Sequence, residues 1–193
     1  MKVKEAVATY HVPKKVYSYQ DYFELPDDGN KYEIIEGELI MSPAPFTMHQ
    51  RIVRKIIFAL LKFIEEEQTG ELFFAPTDVV LSNSNVIQPD ILFILNENLN
   101  IITEKNIKGV PDLIIEIISP ATGYYDLSGK KDLYEKFGVR EYWIIDPMKQ
   151  RVDIYYHSGK KFELSQRLEK EGQITSHVLK GLQINLKKIF EIE

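Results

Sequence analysis

The chain has 193 residues, 44% of them hydrophobic and 27% charged, the balance of one ordinary globular domain with material for a sizeable core. It contains no cysteine, which excludes a disulfide scaffold, a thiolate zinc site and a cysteine nucleophile. With 24 basic and 29 acidic residues the net charge is −5, so the chain does not coat nucleic acid by bulk electrostatics, although a carboxylate site that binds a cation stays open to it.

In chain order, residues 1–17 read as an N-terminal arm and residues 18–193 as a single domain. The opening residues lack the apolar core of a secretory signal, and no apolar run is long enough for a bilayer. A cytoplasmic protein with no membrane partner is the expectation. Ser18 and Asp21 are spaced as a capping box, which predicts a short helix over 18–25. Residues 32–41 predict two short strands with a turn or bulge at Gly37. The clearest helix is 47–67. Thr47 and Gln50 look like its capping box, Ile52, Ile56, Leu60 and Ile64 repeat at helical spacing, and Gly70 is the expected stop. Strands are predicted over 71–81, 86–95 and 110–119, the last apolar on both faces and therefore central in a sheet. A second helix is predicted over 127–137, ended by Gly138. A strand over 140–146, a hairpin of 151–157 with 161–164, and an amphipathic turn over 186–190 complete the chain. The order predicts an α/β (α+β) domain, a mixed β-sheet flanked by helices.

Two acids stand out. Asp90 follows a proline in VIQPDILFIL, and Glu116 lies between isoleucines in DLIIEIIS. An ionised carboxylate in an apolar strand costs several kcal/mol, on the order of the loss of a buried ion's hydration, so each demands a partner. For one such acid a structural ion pair is the commoner explanation. Two on successive core strands, with no sulfur nearby, suit a hard divalent ion such as Mg²⁺, with Mn²⁺ as substitute. A cation is also placed to join them. Lys130 shares a helical stripe with Leu133, Tyr134 and Phe137, so it faces the sheet, whereas Lys131 is expected to pair with Glu135 in solvent. His49 is in register with Ile52 and Ile56 and tends inward. No phosphate-binding loop, dinucleotide fingerprint or serine elbow occurs.

The motifs YEIIEGEL (32–39), SPAPFTMHQRIV (42–53), QPDILF (88–93), PDLIIEIISPAT (111–122) and DLSGKKDLYEKFGVREYWIIDP (126–147) occur in order, followed by GLQINLKKIF. In these the chain resembles the Uma-two family of restriction endonucleases, within the PD-(D/E)XK nuclease superfamily. The resemblance implies a restriction-endonuclease-like fold and Mg-dependent hydrolysis of phosphodiesters. Asp90, Glu116 and Lys130 would be the catalytic set, with Glu38 as an additional acid. One departure is visible: the residue two after Glu116 is Ile118, so the superfamily's lysine has moved to the next helix, at Lys130. Asp90, Glu116 and the Ile117 carbonyl would hold the ion. His49, Gln88 and Tyr134 fall within these motifs as accessory residues. The implied partner is nucleic acid, with DNA the expected form. A homodimer would let two sites cut both strands, with Tyr155, Tyr156 and the hairpin at Gly159 as the expected pairing edge. The other reading is a non-catalytic module that binds nucleic acid or protein on the same fold. Without metal, Asp90 and Glu116 are expected to raise the pKa of at least one of the pair.

Overall fold

The computed structural model describes residues 15–26, 28–42, 45–118 and 129–191. Residues 1–14 of the expected arm, and the expected start of the second helix at 127, lie outside the described residues. The rest of the arm joins the fold, because the Tyr17 N–H donates to the Gly37 carbonyl at 2.9 Å.

α1 (Tyr19–Tyr22) begins with the capping box read from the sequence: the Asp21 N–H donates to the Ser18 hydroxyl and the Ser18 N–H to the Asp21 carboxylate. β1 (Lys31–Ile35) and β2 (Glu38–Ser42) form a hairpin. Its turn needs a glycine, since Gly37 has φ +79° and a Cβ there would lie 2.5 Å from Val16. α2 (Thr47–Glu67) buries His49, Ile52, Ile56, Leu60 and Ile64 along one stripe. Its ends differ from expectation. Phe46 is the N-cap and Thr47 is already helical, so no side chain caps the helix. Gln68, at φ 50°, closes the other end. Gly70 instead opens β3 (Gly70–Phe74), where a Cβ would meet the Ile94 carbonyl at 2.0 Å.

The long strands expected over 71–81 and 86–95 are each two strands: β3 and β4 (Val79–Ser82), then β5 (Asn85–Ile87) and β6 (Ile91–Leu95). Pro76 and Pro89 lie at the two breaks, and proline has no N–H for a ladder. The halves then enter different sheets. β2, β1, β5 and β4 form an antiparallel four-stranded sheet. The larger sheet needs four more strands: β7 (Leu113–Ile117), β8 (Glu141–Asp146), β9 (Arg151–His157) and β10 (Phe162–Glu169). Its order is β10-β9-β8-β7-β6-β3, and only β7 and β8 run parallel. That crossover contains α3 (Lys131–Phe137), ended by Gly138 at φ 78°. A 3-10 helix at Asn96–Ile101, a small pair of β11 (Gln173–Ile174) with β12 (Ile184–Asn185), and α4 (Leu186–Phe190) complete the structure.

Strand alternation divides the core between the two faces of the larger sheet. Phe93, Ile115, Ile117, Trp143 and Ile145 pack with α2 and α4. Leu92, Ile94, Ile114, Tyr142 and Ile144 pack with α3 and with Val79 and Ile87 of the smaller sheet. Glu116 alternates with Ile115 and Ile117, so it falls on the second face, beneath α3. At the expected pairing edge Tyr156 and Gly159 are exposed and Tyr155 is half-buried. Tyr155 packs against Tyr142 and under the Lys131 ammonium, 4.1 Å from its ring, and Tyr156 stacks on His177. Lys131 thus sits on an aromatic face rather than beside Glu135, whose carboxylate accepts the Phe162 N–H. Among the described residues no helix is long and apolar enough to cross a membrane.

Candidate active site

β7 carries the centre of the site, because its end is where the two sheets and α3 meet. Glu116 is 2% exposed. Its Oε1 accepts the Lys130 ammonium at 2.8 Å and the Tyr134 hydroxyl at 2.8 Å. Lys130 is equally buried and has helical dihedrals, so it continues the inward stripe of α3 from just before its first residue. The same ammonium reaches Glu33 Oε1 of β1 at 3.0 Å. Lys130 therefore joins a carboxylate from each sheet. Charge-assisted bonds of this kind offset the loss of hydration that burial imposes on all three groups.

Asp90 joins the group through the backbone. The chain leaves the ladder at Pro89, so the Ile117 N–H finds no strand partner there. It donates to Asp90 Oδ2 at 2.8 Å, which sets Asp90 beside the residue that follows Glu116. From the opposite face, His49 Nε2 lies 3.0 Å from the same oxygen. His49 Nδ1 is buried with no hydrogen-bond partner among the described residues.

Electrostatics favour ionised acids. Burial works against the Asp90 charge, but the His49 hydrogen bond, Lys31 and the Ile117 N–H outweigh it and hold the carboxyl below its ordinary range. Burial also opposes the Glu33 charge, and there Lys130 and then Lys31 prevail. Of the pair in which at least one raised pKa was expected, Asp90 goes the other way, since the cations and donors around it outweigh like-charge repulsion. Tyr134 is pushed well up, first by burial and then by Glu116, so its hydroxyl stays a donor.

The sequence-predicted residues divide. Asp90, Glu116, Lys130, Tyr134 and His49 converge. Glu38 does not join the contacts described here: it opens β2 opposite Ile35 and is exposed, and the hairpin's buried acid is Glu33. Glu33 has a local signal, since Lys31 lies two residues away on the same strand face, 3.7 Å from it. Gln88 contributes its backbone N–H, which donates to Glu33 at 2.8 Å. Its side chain turns to Asp78 and Tyr22. Of the basic residues on α2 and around α3, Lys136 pairs with Glu36, Arg140 with Glu97 and Asp112, and Lys55 with the Lys188 and Glu191 carbonyls. Arg51 and Arg54 are exposed on α2.

Other buried acids show what a purely structural role looks like. Glu141 Oε2 accepts the Ser176 hydroxyl and the N–H groups of His177 and Val178, and Asp153 takes a two-pronged Arg167 bond at 2.7 and 2.9 Å. Arg140 also joins two carboxylates, Glu97 and Asp112, but it is half exposed, whereas Lys130 and both of its carboxylates are buried. The described residues contain no group of three His, Cys, Asp or Glu side chains spaced to grip an ion. An ion held by Asp90, Glu116 and the Ile117 carbonyl would meet oxygen ligands alone, the ligand type of a hard ion that keeps several waters.

No curated protein matches this chain. Its fold is similar to that of a crystal structure of a "putative nuclease belonging to DUF820" from Anabaena variabilis, with a TM-score of 0.74 at 21% identity over 90% of this chain and 97% of that one. A family model described as "Uma2: Putative restriction endonuclease" matches residues 19–187, nearly all of the domain that carries the Glu33, Asp90, Glu116 and Lys130 cluster. The chain therefore belongs to the Uma2 family of restriction-endonuclease-like nucleases.

Proposed function

We propose that this protein is a metal-dependent endonuclease that hydrolyses phosphodiester bonds in DNA. The observation that carries the reading is Lys130 buried between Glu33 and Glu116, with Asp90 tied to the next peptide of β7. A buried lysine beside carboxylates at a strand end matches the chemistry of a PD-(D/E)XK site.

Asp90, Glu116 and the Ile117 carbonyl would hold Mg²⁺, with Mn²⁺ as substitute. When bound, the ion supplies a Lewis acid for a phosphate oxygen and a water of lowered pKa. The remaining roles fall to the chain. Lys130 presents a positive charge where negative charge builds on the phosphoryl group as the water oxygen bonds to phosphorus and the leaving oxygen departs. Glu33 holds the lysine from behind, and the Tyr134 hydroxyl fixes the Glu116 carboxylate. His49 and the Ile117 N–H fix Asp90. These are positioning roles, because each acts through a neighbouring residue.

A second reading has its own support. Each contact given above for Lys130 is to an acid of this chain, as in a structural ion-pair network, and a non-catalytic binding module would share it. Cleavage separates the two. Purified protein is expected to nick plasmid DNA with Mg²⁺ or Mn²⁺ and to stop with EDTA. DNA and RNA left intact at high protein with both ions would contradict the enzyme reading.

A further inference from the structure

Beside Asp90 lies a groove of about 430 Å³ that the mechanism above does not use. It runs between α2 and the end of β3, and His49, Arg54, Phe58, Leu61, Phe74 and Asp90 line it. Phe58 and Phe74 are 73% and 51% exposed, although the chain buries most of its other large apolar residues. Singly exposed apolar residues need no explanation, but these share one concavity with a residue of the active site.

The groove's position selects its occupant. Asp90 forms one wall, so a phosphate bound through an ion at Asp90 and Glu116 would carry its neighbouring nucleotide to the groove. Paired bases in a duplex present only their edges, whereas an unstacked base presents a flat apolar face to a phenylalanine ring. Arg54 supplies a cation at the same mouth for the next phosphate. The net charge of −5 gives no general attraction for a polyanion, so affinity has to come from local contacts of this kind. A second copy of the chain seated there would cover Asp90 and shut the site.

We infer that this groove stacks an unpaired nucleobase beside the scissile phosphate, and that the substrate is single-stranded or locally opened nucleic acid. The inference rests on the nuclease reading. It is tested with the full chain and Mn²⁺ on one labelled DNA oligonucleotide, presented as a single strand and as a duplex. The single strand is expected to be cut at least about tenfold faster in kcat/KM. Phe58→Ala and Phe74→Ala are each expected to raise its KM by about tenfold, the order of a lost aromatic–base stack, with kcat within about twofold. Both side chains are exposed, so truncation spares the core. Leu164→Ala, an exposed apolar residue on β10 at the other edge of the sheet, is expected to match the parent. If single strand and duplex are cut alike and both phenylalanine variants keep the parent's KM, the groove inference is overturned while the nuclease reading stands. A parent that sediments as a dimer, and that Phe58→Ala turns monomeric, overturns it in favour of a second copy. A parent that cuts neither substrate overturns the nuclease reading and this inference with it.

Discussion

Replacing Lys130 with methionine is expected to abolish detectable cleavage, a loss of about 10³-fold or more, and to cost about 3–5 kcal/mol of folding stability. The two effects have separate causes. Methionine fills much of the lysine's volume, so little cavity forms. What remains is two carboxylates, 3% and 2% exposed, without the ammonium between them. The stability loss has a pH signature. The folded-state pKa of Glu33 is lowered, so its contribution is fully present above its ordinary 4.5 and is lost as pH falls through the folded value. The gap between parent and variant should therefore narrow below about pH 4.5 in urea titrations. Adding Glu33→Gln to Lys130→Met removes one of the two charges that lost the ammonium. It is expected to restore part of the stability and none of the cleavage. A single variant that still cuts DNA at the parent's rate would remove Lys130 from the chemistry and leave it a structural cation.

Asp90→Asn is the second large effect. The new amide oxygen can still accept the Ile117 N–H, but the charge-assisted bond to His49 is lost. A cost of about 1–3 kcal/mol in the absence of metal is expected, rather than the neutral or stabilising outcome that like-charge repulsion alone implies. The Asp90 pKa is lowered in the folded state, so this stability too is present above the ordinary 3.8 and lost as pH falls through the folded value. Metal then separates the two proteins. At a concentration 100-fold above Kd, Mn²⁺ or Mg²⁺ should stabilise the parent by about 2.7 kcal/mol, and the variant far less. The benefit should fade in acid, since the ligands must be deprotonated to bind. Equal melting shifts in both proteins would take Asp90 out of the ion's shell.

Much of this arrangement is legible in the sequence, for reasons that lie in particular residues. Glu116 stands out because a charge between isoleucines in a doubly buried strand has no cheap explanation. Lys130 can be told from Lys131 because helical spacing sends one inward with Leu133 and Tyr134. The partner of Lys131 was missed because the Tyr155 ring comes from β9, and helix spacing carries no information about another element. The same limit hid Glu33. Residues 32–39 hold three acids, and only the pairing of β1 with β5 shows which of them meets α3. The breaks at Pro76 and Pro89 follow from proline's missing N–H and were readable. That they send β4 and β5 to a second sheet was not, because sheet membership is decided by pairings distant in sequence. The bond from the Ile117 N–H to Asp90 belongs to the same class. It exists because β6 begins at Ile91, opposite Ile115, while β7 runs two residues further to Ile117, and no local pattern encodes that offset.

The central claim is that Asp90 and Glu116 bind a divalent ion beside Lys130. Anomalous diffraction from crystals soaked in Mn²⁺ tests it directly. One strong peak is expected within bonding distance of both carboxylates and of the Ile117 carbonyl, absent from Asp90→Asn crystals soaked in the same way. No peak there at a Mn²⁺ concentration that supports cleavage, or a peak elsewhere that Asp90→Asn leaves unchanged, would contradict it.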